Sequence, residues 1–215
     1  MSRPGAAPSQ VRRAGRWRGW ITGAFVVVLV VTSHDIATRL RGLEAFKEVS
    51  RSMSPTLMPG DFVWALPIRH AAARGERIIF RHDGQLLVYR VEGVPGDTLA
   101  MSSGRLLVNG NAPYEPYATT GTTDGFETDF AWQRKFLAPG VDTTKYGPSL
   151  HNWGPLVVSA GDYFVLGDNR DTSFDSRYRG FIAASDIERR PVFVYMSLDP
   201  DRHTVRWRHL GRIAH

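Results

Sequence analysis

From residue 61 onward, apolar positions recur at every second residue in short runs, and the runs are broken by turn residues. That period places side chains on alternate faces of an extended chain, so it predicts strands. "DFVWALPI" and "ERIIF" read as two of them, and "RHDGQ" carries an Asp-Gly hairpin signal into a third, "LLVYRVEGV". "PGD" then turns into "TLAMS", and "SSGR" turns into "LLVNG". Residues 111–155 lose the rhythm and are rich in Pro, Gly and Thr, which predicts an irregular insertion, or a short hairpin, inside one domain. The pattern resumes at "LVVSAGDYFVLGDN", and "PVFVYMSLD" and "TVRWRHLG" are two further strand candidates. No long amphipathic helix and no internal repeat is patterned into this body. The expected fold is a mainly β domain over 37–215, with the insertion at about 111–155.

The N-terminal segment is patterned differently. "GWITGAFVVVLVVTS", residues 19–33, is an uncharged run of fifteen residues. It follows a tail that holds Arg3, Arg12, Arg13, Arg16 and Arg18 and no acid. The run reaches the ~20 residues of a spanning helix only if Trp17, Trp20 and the flanks lie at the interface and Arg18 reaches back to the headgroups. No small-x-small cleavage site follows it in "TSHDIATRL". The expectation is a basic tail (1–18), a single membrane anchor (19–36) and an exported body, because the arginines precede the span.

Charge and composition then narrow the classes. With 215 residues and 42% hydrophobic positions, the chain can build one principal core. It has no cysteine, which excludes a disulfide framework and a thiolate zinc site. Net charge is +6, but the N-terminal arginines account for most of it, so the body is nearly neutral and a nucleic-acid role has little support. Arg189, Arg190, Arg202, Arg206, Arg208 and Arg212 read as a solvated strand face. No ligand cluster of suitable spacing implies a metal or an organic cofactor.

Two stretches carry candidate chemistry. "SRSMSPTLMPGDF", residues 50–62, presents hydroxyls in a loop just before a strand, and a serine there needs a neighbouring base to take its proton. "GDNRDTSFDSR", residues 167–177, packs charges and hydroxyls directly after an apolar strand, where they serve hydrogen bonding more than packing. Taken alone, the second stretch is equally an Asp-rich capped turn.

Together the two resemble the motifs of type I signal peptidases, membrane-anchored serine proteases that remove signal peptides from exported proteins. "SRSMSPTL" is similar to the family's nucleophile element. "GDNRDTSFDSR" matches its Gly-Asp-Asn-Arg-Asp-x-Ser-x-Asp-Ser-Arg element, and "RVEGVPGD" matches the strand end between them. The resemblance implies a signal-peptidase-like β-sheet domain on a single anchor in the bacterial inner membrane. It implies Ser52 as nucleophile, with the Ser52 N–H and the Ser50 hydroxyl as oxyanion donors. Ser173 would orient the base, Asp175 and Arg177 would form a supporting ion pair, and Met53, Leu87 and Val88 would line the substrate groove. The substrate would be a signal peptide bound as an added strand.

One position departs from the family. The base lysine stands immediately before the Arg of "RVEGVPGD", with histidine there in eukaryotic relatives; here the residue is Tyr89. Alternation puts Tyr89 on the apolar face with Leu87 and Val91, where burial raises a phenol's pKa. Three resolutions stay open. Arg51, which replaces the family's usual glycine, would favour the phenolate of a Ser52–Tyr89 pair. Alternatively Lys47, His70, His82 or His151 folds into the site as base. In the third, no base exists, and the chain is a silent relative that binds signal peptides or a secretion or conjugation partner. A peptidase dedicated to a secretion or conjugation apparatus is a further variant of the active reading.

Overall fold

The computed structural model describes residues 41–120 and 130–211. The anchor expected at 19–36 lies outside them. Among the described residues, no helix is long and apolar enough to cross a membrane.

The described chain is mainly β. In order, the strands are β1 (Glu44–Lys47), β2 (Asp61–Pro67), β3 (Arg77–His82), β4 (Gln85–Gly93), β5 (Thr98–Ser102), β6 (Arg105–Val108), β7 (Trp153–Val157), β8 (Asp162–Leu166), β9 (Ile182–Ala183), β10 (Ile187–Asp199) and β11 (Thr204–Val205). A single α-helical turn, α1 (Ser176–Arg179), stands between β8 and β9. The larger sheet runs β1-β2-β10-β3-β4-β8-β9, with β11 beside β10, and a three-stranded sheet runs β6-β5-β7. The hairpin read at Asp83-Gly84 joins β3 to β4, and both residues take the positive φ that such a two-residue turn requires (48° and 76°).

One of the sequence expectations changes. "TVRWRHLG" was expected as a strand, but only Thr204–Val205 pairs; Trp207–His209 is a 3-10 turn. The cause is local. Arg206 sends its guanidinium inward to Ser197 Oγ (2.9 Å), the Pro59 carbonyl (2.6 Å) and Asp61 (3.2 Å), which turns the chain away from the sheet. Strand β7 begins at Trp153, at the end of the stretch read as an insertion, and the Trp153 side chain packs against Phe164 at 5.3 Å.

Two buried clusters hold the domain. One gathers Met53, Leu57, Ile78, Phe80, Tyr89 and Val91 under the larger sheet. The other gathers Leu99, Leu106, Trp153, Leu156 and Phe164 at the smaller one. Ile78 and Phe80 on β3, and Tyr89 and Val91 on β4, take alternate positions of their strands. The alternation that predicts the strands thus also fills much of the first core, while Met53 and Leu57 enter it from the turn before β2.

Between the clusters runs a polar seam. Arg90, on β4, grips Asp168 with Nε at 2.8 Å and Nη2 at 2.6 Å, and both side chains are almost fully buried. Arg170 pairs with Glu92 (3.2 Å) and Glu115 (2.5 Å), and Tyr117 donates its hydroxyl to Glu92 (3.1 Å). Buried charges persist only when answered in this way. The seam locks the loop after β8 against β4.

Candidate active site

Ser52 sits in a tight turn between β1 and β2, closed by hydrogen bonds from Ser54 N to the Arg51 carbonyl (3.1 Å) and from Leu57 N to the Met53 carbonyl (2.9 Å). It is buried, with 8% of its surface exposed. The turn is held from the far end of the chain. The Ser52 carbonyl accepts Asn169 N–H at 2.9 Å and lies 3.0 Å from Ser173 Oγ, which also reaches the Asn169 carbonyl at 2.7 Å. Thr56 hydrogen-bonds Asp168 through its hydroxyl, a second clasp between the same two segments.

Ser173 thus touches the backbone of Ser52. Its expected role was to orient the base, but its hydroxyl contacts are the carbonyls of Ser52 and Asn169. Gly167 makes that approach possible, since a Cβ there would lie 1.6 Å from Ser173 Oγ and 2.6 Å from the Ser52 carbonyl oxygen. Asp175 and Arg177 form a two-pronged pair (2.8 and 2.9 Å), and Asp175 also accepts Gly167 N–H at 3.0 Å and caps α1. The pair braces the turn that carries Ser173.

The base position is less favourable to proton transfer. The Tyr89 hydroxyl donates to the Phe174 carbonyl at 3.2 Å, and its ring packs against Phe80 at 5.9 Å. Burial pushes the Tyr89 phenol up from its ordinary value, and Asp175 and Glu48 add to the rise. A hydrogen bond with the Ser52 side chain and the nearby Arg179 pull the other way without prevailing. With the Tyr89 proton directed at Phe174, the Ser52 hydroxyl is the donor in the Ser52–Tyr89 contact.

Arg51 does not supply the cation expected beside Tyr89. Its side chain is three-quarters exposed and faces Asp201 at 3.9 Å, because the turn that carries Ser52 inward carries its neighbour outward. The cation near Tyr89 is Arg179, which donates to the same Phe174 carbonyl at 2.8 Å. Lys47 borders the site, but its ammonium sits 5.6 Å over the Phe62 ring. His70 is exposed beside Ala71 and Glu76, His82 faces Asp83, and His151 lies against Gly104 at the smaller sheet.

The site contains a carboxylate that sequence reasoning missed. Glu48 is 6% exposed, and its Oε1 accepts both Ser50 N–H and Ser50 Oγ–H at 2.7 Å. Ser52 N–H points at Ser50 Oγ at 3.4 Å. Burial raises the Glu48 pKa above the ordinary carboxylate value, against the pull of the Ser50 and Val49 hydrogen bonds. The only signal in the sequence was an acid two residues before Ser50, at the end of a strand too short to recognise.

A cavity of about 140 Å³ opens beside these groups, lined by Phe46, Glu48, Ser50, Ser52, Leu87, Val88 and Tyr89 among others. Met53 is fully enclosed in the core rather than in this lining. The cavity lies between β1, an edge strand paired only with β2, and the first half of β4, whose pairing to β8 begins only at Arg90. Unpaired strand edges of this kind accept an extended peptide as an added strand. Among the described residues, no group of three His, Cys, Asp or Glu is gathered to hold a metal.

The chain has relatives among known proteins. The family model described as signal peptidase, peptidase S26, matches residues 17–196. The chain is 29% identical to a signal peptidase I of Bacillus licheniformis over 192 residues, covering 86% of this chain and 91% of the relative. It is 28% identical to signal peptidase I P of Bacillus subtilis subsp. natto, covering 80% and 86%. Among solved structures, a signal peptidase I from Enterococcus faecalis V583 matches at 28% identity with a TM-score of 0.37, over 55% of this chain and 94% of the other.

Proposed function

The chain belongs to the signal peptidase family, peptidase S26, and from that premise we propose that it is a membrane-anchored serine endopeptidase that cleaves signal peptides from exported precursors. The observation that carries this reading is the cavity between two unpaired strand edges, with Ser52 in its wall. A precursor segment laid between β1 and β4 would run past Ser52, and the apolar lining from Leu87 and Val88 suits small or apolar side chains.

In this mechanism Ser52 Oγ attacks the scissile carbonyl as its proton passes to solvent, and the leaving amine takes up a proton as the C–N bond breaks. Water then hydrolyses the acyl-serine, and the Ser52 N–H and Ser50 hydroxyl face the oxygen of each tetrahedral intermediate. Ser173 and Asn169 fix the Ser52 backbone, and the Asp175–Arg177 pair holds Ser173 in place. Tyr89 orients the Ser52 hydroxyl as a hydrogen-bond acceptor. The anchor at 19–36 would keep the domain at the membrane surface, on the exported side.

A second reading is a silent relative that binds signal peptides through the same groove. Tyr89 favours it, because its surroundings oppose the phenolate that a base would need. The deciding measurement is cleavage of a purified precursor by the wild-type protein and by Ser52→Ala. Cleavage is expected from the first and none from the second. A wild-type protein that binds the signal peptide without cutting it establishes the second reading.

A further inference from the structure

Both oxyanion donors of the proposed site are turned inward. The Ser52 N–H is directed at Ser50 Oγ (3.4 Å), and the single Ser50 hydroxyl proton is given to Glu48 Oε1 (2.7 Å). In that arrangement Ser50 shows lone pairs to an incoming oxyanion, and no proton. We infer that Glu48 is a positioning residue that governs Ser50, withholding its hydroxyl from the reaction when ionised and releasing it when protonated. The inference rests on the peptidase reading and concerns how that site is switched.

The chemistry follows from the donor inventory of the three groups. An ionised carboxylate is a strong acceptor, and its hydrogen bond to a hydroxyl is about twice as strong as a neutral one. A developing oxyanion must therefore compete with Glu48 for the same proton. Once protonated, Glu48 can donate its own O–H to Ser50 Oγ, and the Ser50 proton is then available to the oxyanion. The only covalent change is the O–H bond that Glu48 forms with one proton taken up from solvent, and it reverses the direction of one hydrogen bond.

The surroundings make this switch accessible. No cation among the described residues pairs with Glu48. Asp61 approaches it from β2 and disfavours its charge, although Asp61 itself is answered by Arg206 and His209. Tyr89 faces the same cavity from β4, and Lys47, next in the chain, holds its ammonium over Phe62. Burial is the leading influence and moves the titration of Glu48 upward from the ordinary carboxylate value.

The test is kcat/KM against pH for cleavage of a precursor peptide by wild type, Glu48→Gln, Ser50→Ala and the double variant. The same set is made in a Tyr89→Lys background, and Ser52→Ala serves as the inactive control. The wild-type rate is expected to fall as pH rises through the titration of Glu48. Glu48→Gln, which stays neutral, should show no such fall and should exceed wild type by roughly tenfold at the alkaline end, a fraction of the 10²–10³ attributed to one oxyanion donor. In the Ser50→Ala protein the Glu48→Gln change should have no effect, since Glu48 acts through Ser50. A Glu48→Gln protein slower than wild type at every pH overturns the inference, and so does a gain that survives in Ser50→Ala. If wild type is inert but Tyr89→Lys cleaves, the native peptidase reading fails alone, and the Glu48 comparison is decided in that background. If neither cleaves, both fall.

Discussion

At Tyr89, surroundings that would make a buried amine a good base make a phenol a poor one. Desolvation favours the neutral form of either group; the neutral amine accepts a proton, whereas the neutral phenol has one to hold. Tyr89→Phe therefore removes a hydrogen bond to Phe174 and the acceptor of the Ser52 hydroxyl, and cleavage should drop by no more than about tenfold. Tyr89→Lys restores a group able to take the proton and should raise the rate by roughly 10²-fold, the lower end of what a positioned base contributes. Single-turnover cleavage of one precursor by the three proteins checks both. The burial of Tyr89 was legible in the alternation of "LLVYRVEGV", because period 2 is a property of the strand itself. The outward turn of Arg51 was not, since the loop beside it is clasped at Ser52 by residues more than a hundred positions away. Nor was the inward turn of Glu48, since it follows from backbone pairing with Gly60 and Asp61 across the loop.

The segment from β8 through α1 shows how one element is shaped by a contact with another. Its glycine at 167 lies where the backbone passes Ser173 and the Ser52 carbonyl, closer than any Cβ permits. Gly167→Ala should force the loop off Ser52, lower the unfolding free energy by about 2 kcal/mol or more, and reduce cleavage as well. Urea unfolding, with cleavage measured on the same preparation, tests this, and a change in neither would mean that the loop adjusts freely. The strands with clear alternation, β2 to β6 and β8, were read from the sequence to within a few residues. The strand β1 was not, because four residues of mixed polarity at a sheet edge bury little and leave no periodic trace. The closing "TVRWRHLG" was misread because its valine and aromatic suited a strand, while Arg206 found better partners in Asp61 and Ser197.

Over the whole molecule, the buried polar seam sets a pH dependence of stability. Burial pushes Glu92 up to about 8, with Glu115 adding to the rise and Arg170 opposing it. Below the ordinary value of 4.5 both the folded and unfolded chains hold this proton, and between 4.5 and about 8 only the folded one does. Stability from this group is therefore lost as pH rises across that interval. Urea midpoints at pH 5 and pH 8 should show the wild-type protein weaker at pH 8, and Glu92→Gln should narrow the difference, with Arg170 still held by Glu115. The nature of the seam's residues was visible in the sequence; their pairing was not, because it joins β4 to the insertion and to the loop after β8. The clasp on Ser52 has a similar reach, and it bears on how the protein is made. Asn169 and Ser173 follow Ser52 by 117 and 121 positions, so a nascent chain emerges with Ser52 long before the residues that seat it. Until synthesis passes residue 173 the Ser52 carbonyl lacks both of these partners, so on the proposed peptidase reading a half-made copy should not cleave precursors.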